Sequence, residues 1–262
     1  MKESFAYIIV VTEPAEVESA VVLSRSIQNT ETIYPVVIVD AAQGTTDKFG
    51  ELFNALRIKI VKLPSIENPN NLVDLTADRS YSKINVFALE EYSKIIMIDP
   101  GMLVIKNIDE VFGWPHMSAV NCGGMLPECQ DWTNLNANLL VIQPDINVFD
   151  ELKRYSNFFR TRYGFQGLMQ LYFNSWQQIP SLHLPHTYNV YASQYNRYNE
   201  LFHYCIGPSL NPSSNPIKVL NYRNMKTGKL DGMSRDESSI SVDLLNLWSE
   251  YTSSVLDTIK LT

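Results

Sequence analysis

The sequence predicts an α/β fold, a mostly parallel central sheet flanked by helices, with a helical segment at the C-terminal end. Two observations carry this. Near the start, apolar β-branched runs alternate with helical patterns, and such alternation implies parallel strands joined by helices. Further on, the stretch YSKINVFALEEYSKIIMIDPGMLVIKNIDEVF, residues 81–112, runs from an amphipathic helix into a buried strand that ends on one carboxylate, Asp99.

Residues 5–11 are the first strand-like run. Thr12-Glu13-Pro14 is a helix-start signal, and Val17, Ala20, Val21, Ser24 and Ile27 follow at helical spacing. Residues 35–39 give a second strand ending at Asp40, Thr45 and Thr46 are placed to cap a helix through Leu56, and residues 58–61 give a third strand. Ile84, Phe87, Ala88 and the Glu91-Tyr92 pair recur at helical spacing, and Ile95-Ile96-Met97-Ile98 is a strand covered on both faces. Asp99-Pro100-Gly101 then makes a turn, and Met102-Leu103-Val104-Ile105 leads back into the core.

After Phe112 the pattern breaks into turn-rich sequence, followed by a strand at 138–143 and a helix from Asn147 to about Arg160. Tyrosines dominate YNVYASQYNRYNELFHY, residues 188–204, and the Gly- and Pro-interrupted segment 207–216 reads as a surface loop. Over residues 239–260, Leu244, Leu245, Trp248, Tyr251, Val255 and Ile259 form one helical face.

Composition bounds the function. At 262 residues, 45% apolar and 19% charged, the chain can bury a sizeable core. A net charge of −7 and a pI near 5.1 argue against nucleic acid as a partner, although a nucleotide-sized anion can still bind locally. No apolar run is long enough to span a membrane, and the first residues do not read as a signal peptide, so no membrane association and a cytoplasmic location are expected. Cys122, Cys129 and Cys205 form no C-x-x-C and no N-x-S/T acceptor occurs, which suits a reducing compartment. No Gly-rich phosphate loop, H-E-x-x-H or G-x-S-x-G appears, so NTPase, metalloprotease and serine-hydrolase readings lack support.

A carboxylate at the end of a buried strand sits where α/β sheets place their ligands, although Asp99 in an I-D-P-G turn can equally be a turn cap. From Ser82-Lys83 through Asp99, in Asn107-Ile108-Asp109-Glu110-Val111-Phe112, in Leu135-Asn136-Ala137-Asn138 with Val141-Ile142-Gln143-Pro144, in Gln166-Gly167, in His183-Leu184-Pro185 with Tyr188-Asn189, and in LNLWSEYTSSVL at 245–256, the chain resembles the glycogenin-like, retaining glycosyltransferases of family 8, which have the GT-A fold. That resemblance spans most of the chain. It implies one domain over 1–262, with a nucleotide-binding half at 1–112, an acceptor half at 113–235 and a C-terminal helix at 236–262.

The resemblance also implies a site and its departures. The family's D-x-D and a later histidine hold Mn²⁺ or Mg²⁺; here Asp99 matches, Gly101 stands for the second Asp, and Asn221 stands for the histidine. Asp99 and Asn221 are thus the metal candidates, with Mg²⁺ or Mn²⁺ expected to bind weakly or not at all. Thr12, Arg79, Lys83, Asn136 and Lys226 are the expected contacts to a UDP-sugar donor, and Asp99, Gln166 and Lys83 the expected catalytic residues. Glu16 falls where an aromatic ring would stack on uracil, and Phe165-Gln166-Gly167 replaces the family's D-Q-G. Tyr198, with Tyr195 close by, matches the self-glucosylated tyrosine as a candidate acceptor. The partners implied are a nucleotide sugar, a protein or polysaccharide acceptor, and a second copy in a homodimer. Two readings stay open: a retaining hexosyltransferase, and a non-catalytic relative that acts as a binding or scaffold protein.

Overall fold

The computed structural model describes residues 4–42, 44–69, 79–159, 161, 163–207, 212–222, 244 and 246–253. β1 (Phe5–Val11) lies at the centre of the main sheet, and its two faces explain its composition. Tyr7, Ile9 and Val11 join one core cluster while Ala6, Ile8 and Val10 join the other. A strand covered on both faces has no polar side, so it reads as a continuous apolar run. α1 (Val17–Asn29) buries Val17, Ala20, Val21, Ser24 and Ile27, the stripe that the spacing predicts.

β2 (Val36–Asp40), α2 (Gly50–Ala55), β3 (Lys59–Lys62) and β4 (Lys94–Ile98) follow in chain order. β5 (Met102–Val104) leaves the main sheet, and β6 (Leu139–Ile142) rejoins it. The main sheet runs β3-β2-β1-β4-β6, parallel except for the antiparallel β4–β6 pair. Strands β2 and β3 lie on one side of β1 and β4 lies on the other. The order therefore reverses between β1 and β4, and the crevice beyond the carboxyl ends of those strands is where such sheets bind ligands.

α3 (Ile146–Phe158) begins at Asp145, whose side chain accepts the Asn147 N–H, and is followed by α4 (Gly164–Tyr172). β7 (Val190–Tyr191), α5 (Tyr195–Phe202), β8 (Tyr204–Cys205), β9 (Asn215–Pro216) and β10 (Val219–Asn221) complete the described elements with labels. β5, β10 and β7 form a second, three-stranded sheet. Leu244 and residues 246–253 are helical, and Leu244, Trp248 and Tyr251 join a third apolar cluster with Leu103, Leu220 and Tyr222. Leu245, Val255 and Ile259 lie outside the described residues.

Three local expectations are corrected. The helix read around Ile84 and Phe87 is a 3₁₀ helix, Ser80–Ala88, and it is not amphipathic: every residue from Tyr81 to Phe87 is buried. Ile84 and Phe87 are three apart, a spacing that serves a three-residue turn as well as an α-helix. Thr46 does not cap a helix, because its hydroxyl donates to the Asp40 carboxylate at 2.6 Å and Gly44, at φ +84°, precedes the first turn. Within the segment read as a surface loop, Asn215 and Pro216 pair with Tyr204 and Cys205 as a short strand.

Candidate functional site

Lys83 and Asp99 meet at the sheet's switch point. Lys83 projects from the 3₁₀ helix and Asp99 from the residue after β4, and Lys83 Nζ lies 2.7 Å from Asp99 Oδ2. Asp99 Oδ1 accepts the Gly101 N–H at 3.1 Å. Asp99 therefore does cap its turn, and the same carboxylate also holds a buried cation. An ammonium has three donors and Asp99 takes one; the other two have no partner among the described residues.

A ring of amide contacts runs outward from Asp99. Its backbone N–H donates to the Asn138 carbonyl at 2.7 Å, and the Asn138 N–H donates to Asn136 Oδ1 at 3.0 Å. Asn136 Nδ2 donates to the Tyr191 hydroxyl at 2.9 Å, and Tyr191 is beside Asn221 in the β7–β10 pairing. Asn221 in turn faces Met102 of β5, and the Tyr222 N–H donates to the Gly101 carbonyl at 2.8 Å, closing the ring on the Asp99 turn. Gln166 of α4 reaches the same place, its Oε1 accepting the Ala137 N–H at 3.3 Å. The fold thus brings Lys83, Asp99, Gly101, Asn136, Gln166 and Asn221 to one locus.

Glu16 borders that locus from the β1 side. Its Oε2 accepts from the Thr12 N–H at 2.7 Å, the Thr12 hydroxyl at 3.0 Å and the Glu13 N–H at 3.2 Å. Burial lifts its carboxyl above the usual glutamate range; the Lys83 charge pulls it down and the Asp99 charge pushes it up, so the three groups sense one another.

Other expected residues fall elsewhere. Arg79 turns toward Glu67, 3.7 Å away, and Lys226 lies outside the described residues. Phe165 is buried in the core, so nothing ionic occupies the first position of its tripeptide. Tyr198 lies on α5, 3% exposed, stacked on Tyr204 at 5.2 Å, and its hydroxyl accepts the Met125 N–H. It is a packed side chain with its phenol pushed up to about 12 by burial, not a tyrosine presented on a loop. Tyr195 is half-buried against the same cluster. His183 stacks on Trp176 at 4.2 Å, while burial pulls His186 down to about 4.

The donor set does not fit a divalent metal held by the protein. Both oxygens of Asp99 already have partners, and Asn221, whose amide nitrogen donates to Asn189 Oδ1 at 2.9 Å, can offer a metal only a neutral oxygen. Among the described residues, no three His, Cys, Asp or Glu side chains come together as a metal would need.

Sequence and structure comparisons agree with this architecture. No family model matches the chain. Glycogenin-1 of Mus musculus is 24% identical over 273 residues, covering 97% of this chain and 78% of that protein. UDP-glucuronate:xylan alpha-glucuronosyltransferase 1 of Arabidopsis thaliana is 32% identical over 123 residues, 47% of this chain, and the match spans only 18% of that protein's length. Among solved structures, the glycosyltransferase GlyE of Streptococcus pneumoniae TIGR4 superposes with a TM-score of 0.61 at 12% identity, over 98% of this chain and 63% of that one. The galactosyltransferase LgtC, solved with donor and acceptor sugar analogs, gives 0.58 at 12% identity over 95% of both chains. At such identities the structures speak for the fold, which is the GT-A glycosyltransferase fold. Over nearly its whole length the chain is similar to glycogenin-1, at 23–24% identity. Among the described residues, no helix is long and apolar enough to cross a membrane.

Proposed function

We propose that this protein binds a UDP-sugar at the β1–β4 switch point and transfers its hexose with retention, using Lys83 rather than a bound metal to meet the diphosphate. The observation that carries the proposal is the Lys83–Asp99 pair, 2.7 Å apart at the end of β4. Asp99 is then a positioning carboxylate: it fixes the ammonium through one donor and leaves two directed donors for phosphate oxygens. Asn136 and Gln166 supply neutral hydrogen-bonding groups of the kind that hold sugar hydroxyls. A polysaccharide is the acceptor class that the xylan-acting relatives suggest, and a protein is the one that the resemblance to glycogenin implies.

A second reading is favoured by the same pair. One ammonium balanced by one carboxylate offers a leaving diphosphate far less charge than a divalent cation, and such stabilisation is commonly worth several kcal/mol. With Phe165 at the acceptor side, a protein that binds sugar nucleotides without turning them over also accounts for the residues.

Calorimetric titration with UDP-glucose, in EDTA and in Mn²⁺, followed by assay of hexose transfer to a panel of saccharide and protein acceptors, separates the two. Metal-independent binding with transfer supports the enzyme. Binding without transfer or hydrolysis supports the non-catalytic reading, and an absolute requirement for Mn²⁺ would overturn the role given to Lys83.

A further inference from the structure

The carboxyl ends of β1 and β4 carry what a nucleotide needs at a switch point: backbone N–H groups, a hydroxyl and a buried cation. In this structure the N–H groups and the hydroxyl are already engaged from within, and the cation through one of its three donors. Thr12 N, Thr12 Oγ1 and Glu13 N all give their hydrogen bonds to a single oxygen, Glu16 Oε2, at 2.7, 3.0 and 3.2 Å. Lys83 is held by Asp99 at 2.7 Å. A side-chain carboxylate thus sits where a ligand's acceptor atoms would be received.

We propose that Glu16 is a built-in competitor for the nucleotide, holding the Thr12 and Glu13 donors in the empty protein and leaving them when a nucleoside diphosphate binds. The proposal rests on reading the β1–β4 end as a nucleotide site and adds the residue that sets its affinity. Two effects act in the same direction. The ligand must break three hydrogen bonds to one oxygen before it can use those donors, and it must bring its own negative charge toward a second anion beside Asp99. Coupling among Glu16, Lys83 and Asp99 supports the second effect, since Lys83 lowers and Asp99 raises the Glu16 carboxyl. Glu16 also caps the start of the helical run through the same bonds, so its position is fixed and its release is a definite event.

The experiment is a UDP titration of wild type, Glu16→Ala and Glu16→Gln by calorimetry at neutral pH. Glu16→Ala frees all three donors and removes the charge, and UDP is expected to bind about tenfold tighter, the size of one net hydrogen bond. Glu16→Gln keeps an acceptor on Thr12 while removing the charge, which guards against a helix that unravels in the alanine variant; tightening of about two- to fivefold is expected. If wild type binds UDP and neither folded variant binds it more tightly, Glu16 is only a helix cap and the competitor is overturned, while the nucleotide site stands. If no form binds UDP at about 10 mM, where a dissociation constant corresponds to little more than a fragment's affinity, the site and its competitor fall together. Binding that is seen only in the variants supports both.

Discussion

Lys83 and Asp99 come from elements separated by β4, yet their side chains, each 8% exposed, meet at 2.7 Å. Removing one partner strands a buried charge, so Asp99→Ala and Lys83→Ala are each expected to destabilise the fold by about 3–5 kcal/mol. Replacing both at once removes the charge and its counter-charge together, and the double variant Lys83→Ala/Asp99→Ala is expected to lose clearly less stability than the sum of the two single losses. Urea denaturation of the three proteins measures this. Additive losses would mean that the pair is not coupled.

Manganese should not find a home in the empty protein. A cation at Asp99 must displace the Lys83 ammonium and then relies on one carboxylate and neutral oxygens, a donor set that Mn²⁺ has little reason to prefer over water. Calorimetry is expected to give no dissociation constant below about 1 mM without nucleotide. Micromolar binding that is lost in Asp99→Ala would restore the metal site.

The first half of the fold is legible in the sequence because its central strands are covered on both faces. Residues 5–11 and 95–98 carry no charged side chain, and the carboxylate that ends the second run, Asp99, lies at the end of the sheet where such folds bind ligands. The Lys83 partner was not legible, because a contact sixteen residues away across a strand is set by tertiary packing and leaves no periodic trace. α4 escaped for a local reason: Gly164 and Gly167 lower helix propensity, yet Gly167 is required, since a Cβ there would lie 2.8 Å from Thr161 Cβ. Helical spacing of Tyr195, Tyr198 and Phe202 was the available signal for α5, obscured by the tyrosines around it.

Acid should weaken the fold through His116. Its Nδ1 accepts the Gln143 N–H at 2.9 Å, and the ring lies edge-on to Phe87 and Phe173. Burial pulls it from 6.5 down to about 4, with the nearby Asp145 charge opposing and Lys94 assisting. A folded pKa below the unfolded one means the unfolded chain binds the proton first. The stability tied to neutral His116 is therefore full above about 6.5 and is lost as pH falls toward 4, roughly 3 kcal/mol in all. Urea midpoints at pH 7 and pH 4.5 in wild type and His116→Gln check this, and the variant is expected to lose less over that interval.

Tyr198 is the residue that separates a self-glycosylating protein from one that acts on other molecules. Its hydroxyl is buried under the Gly124 turn: Gly124 has φ +62°, and a Cβ there would fall 1.8 Å from Tyr198 Oη. Gly124→Ala is thus expected to destabilise by about 3 kcal/mol or more, through left-handed strain and the clash together. Tyr198→Phe removes the oxygen that is struck, at a loss of about 1 kcal/mol for the hydrogen bond from Met125, so the double variant is expected to be more stable than the sum of the two changes by at least about 1 kcal/mol. The same burial keeps the hydroxyl from a donor sugar. Intact mass spectrometry after incubation with UDP-glucose and Mn²⁺ is expected to find no hexose on Tyr198 or Tyr195. A hexose ladder that vanishes in Tyr198→Phe would show that α5 opens to deliver the tyrosine, and would make the packing seen around Tyr204 only one of two working states.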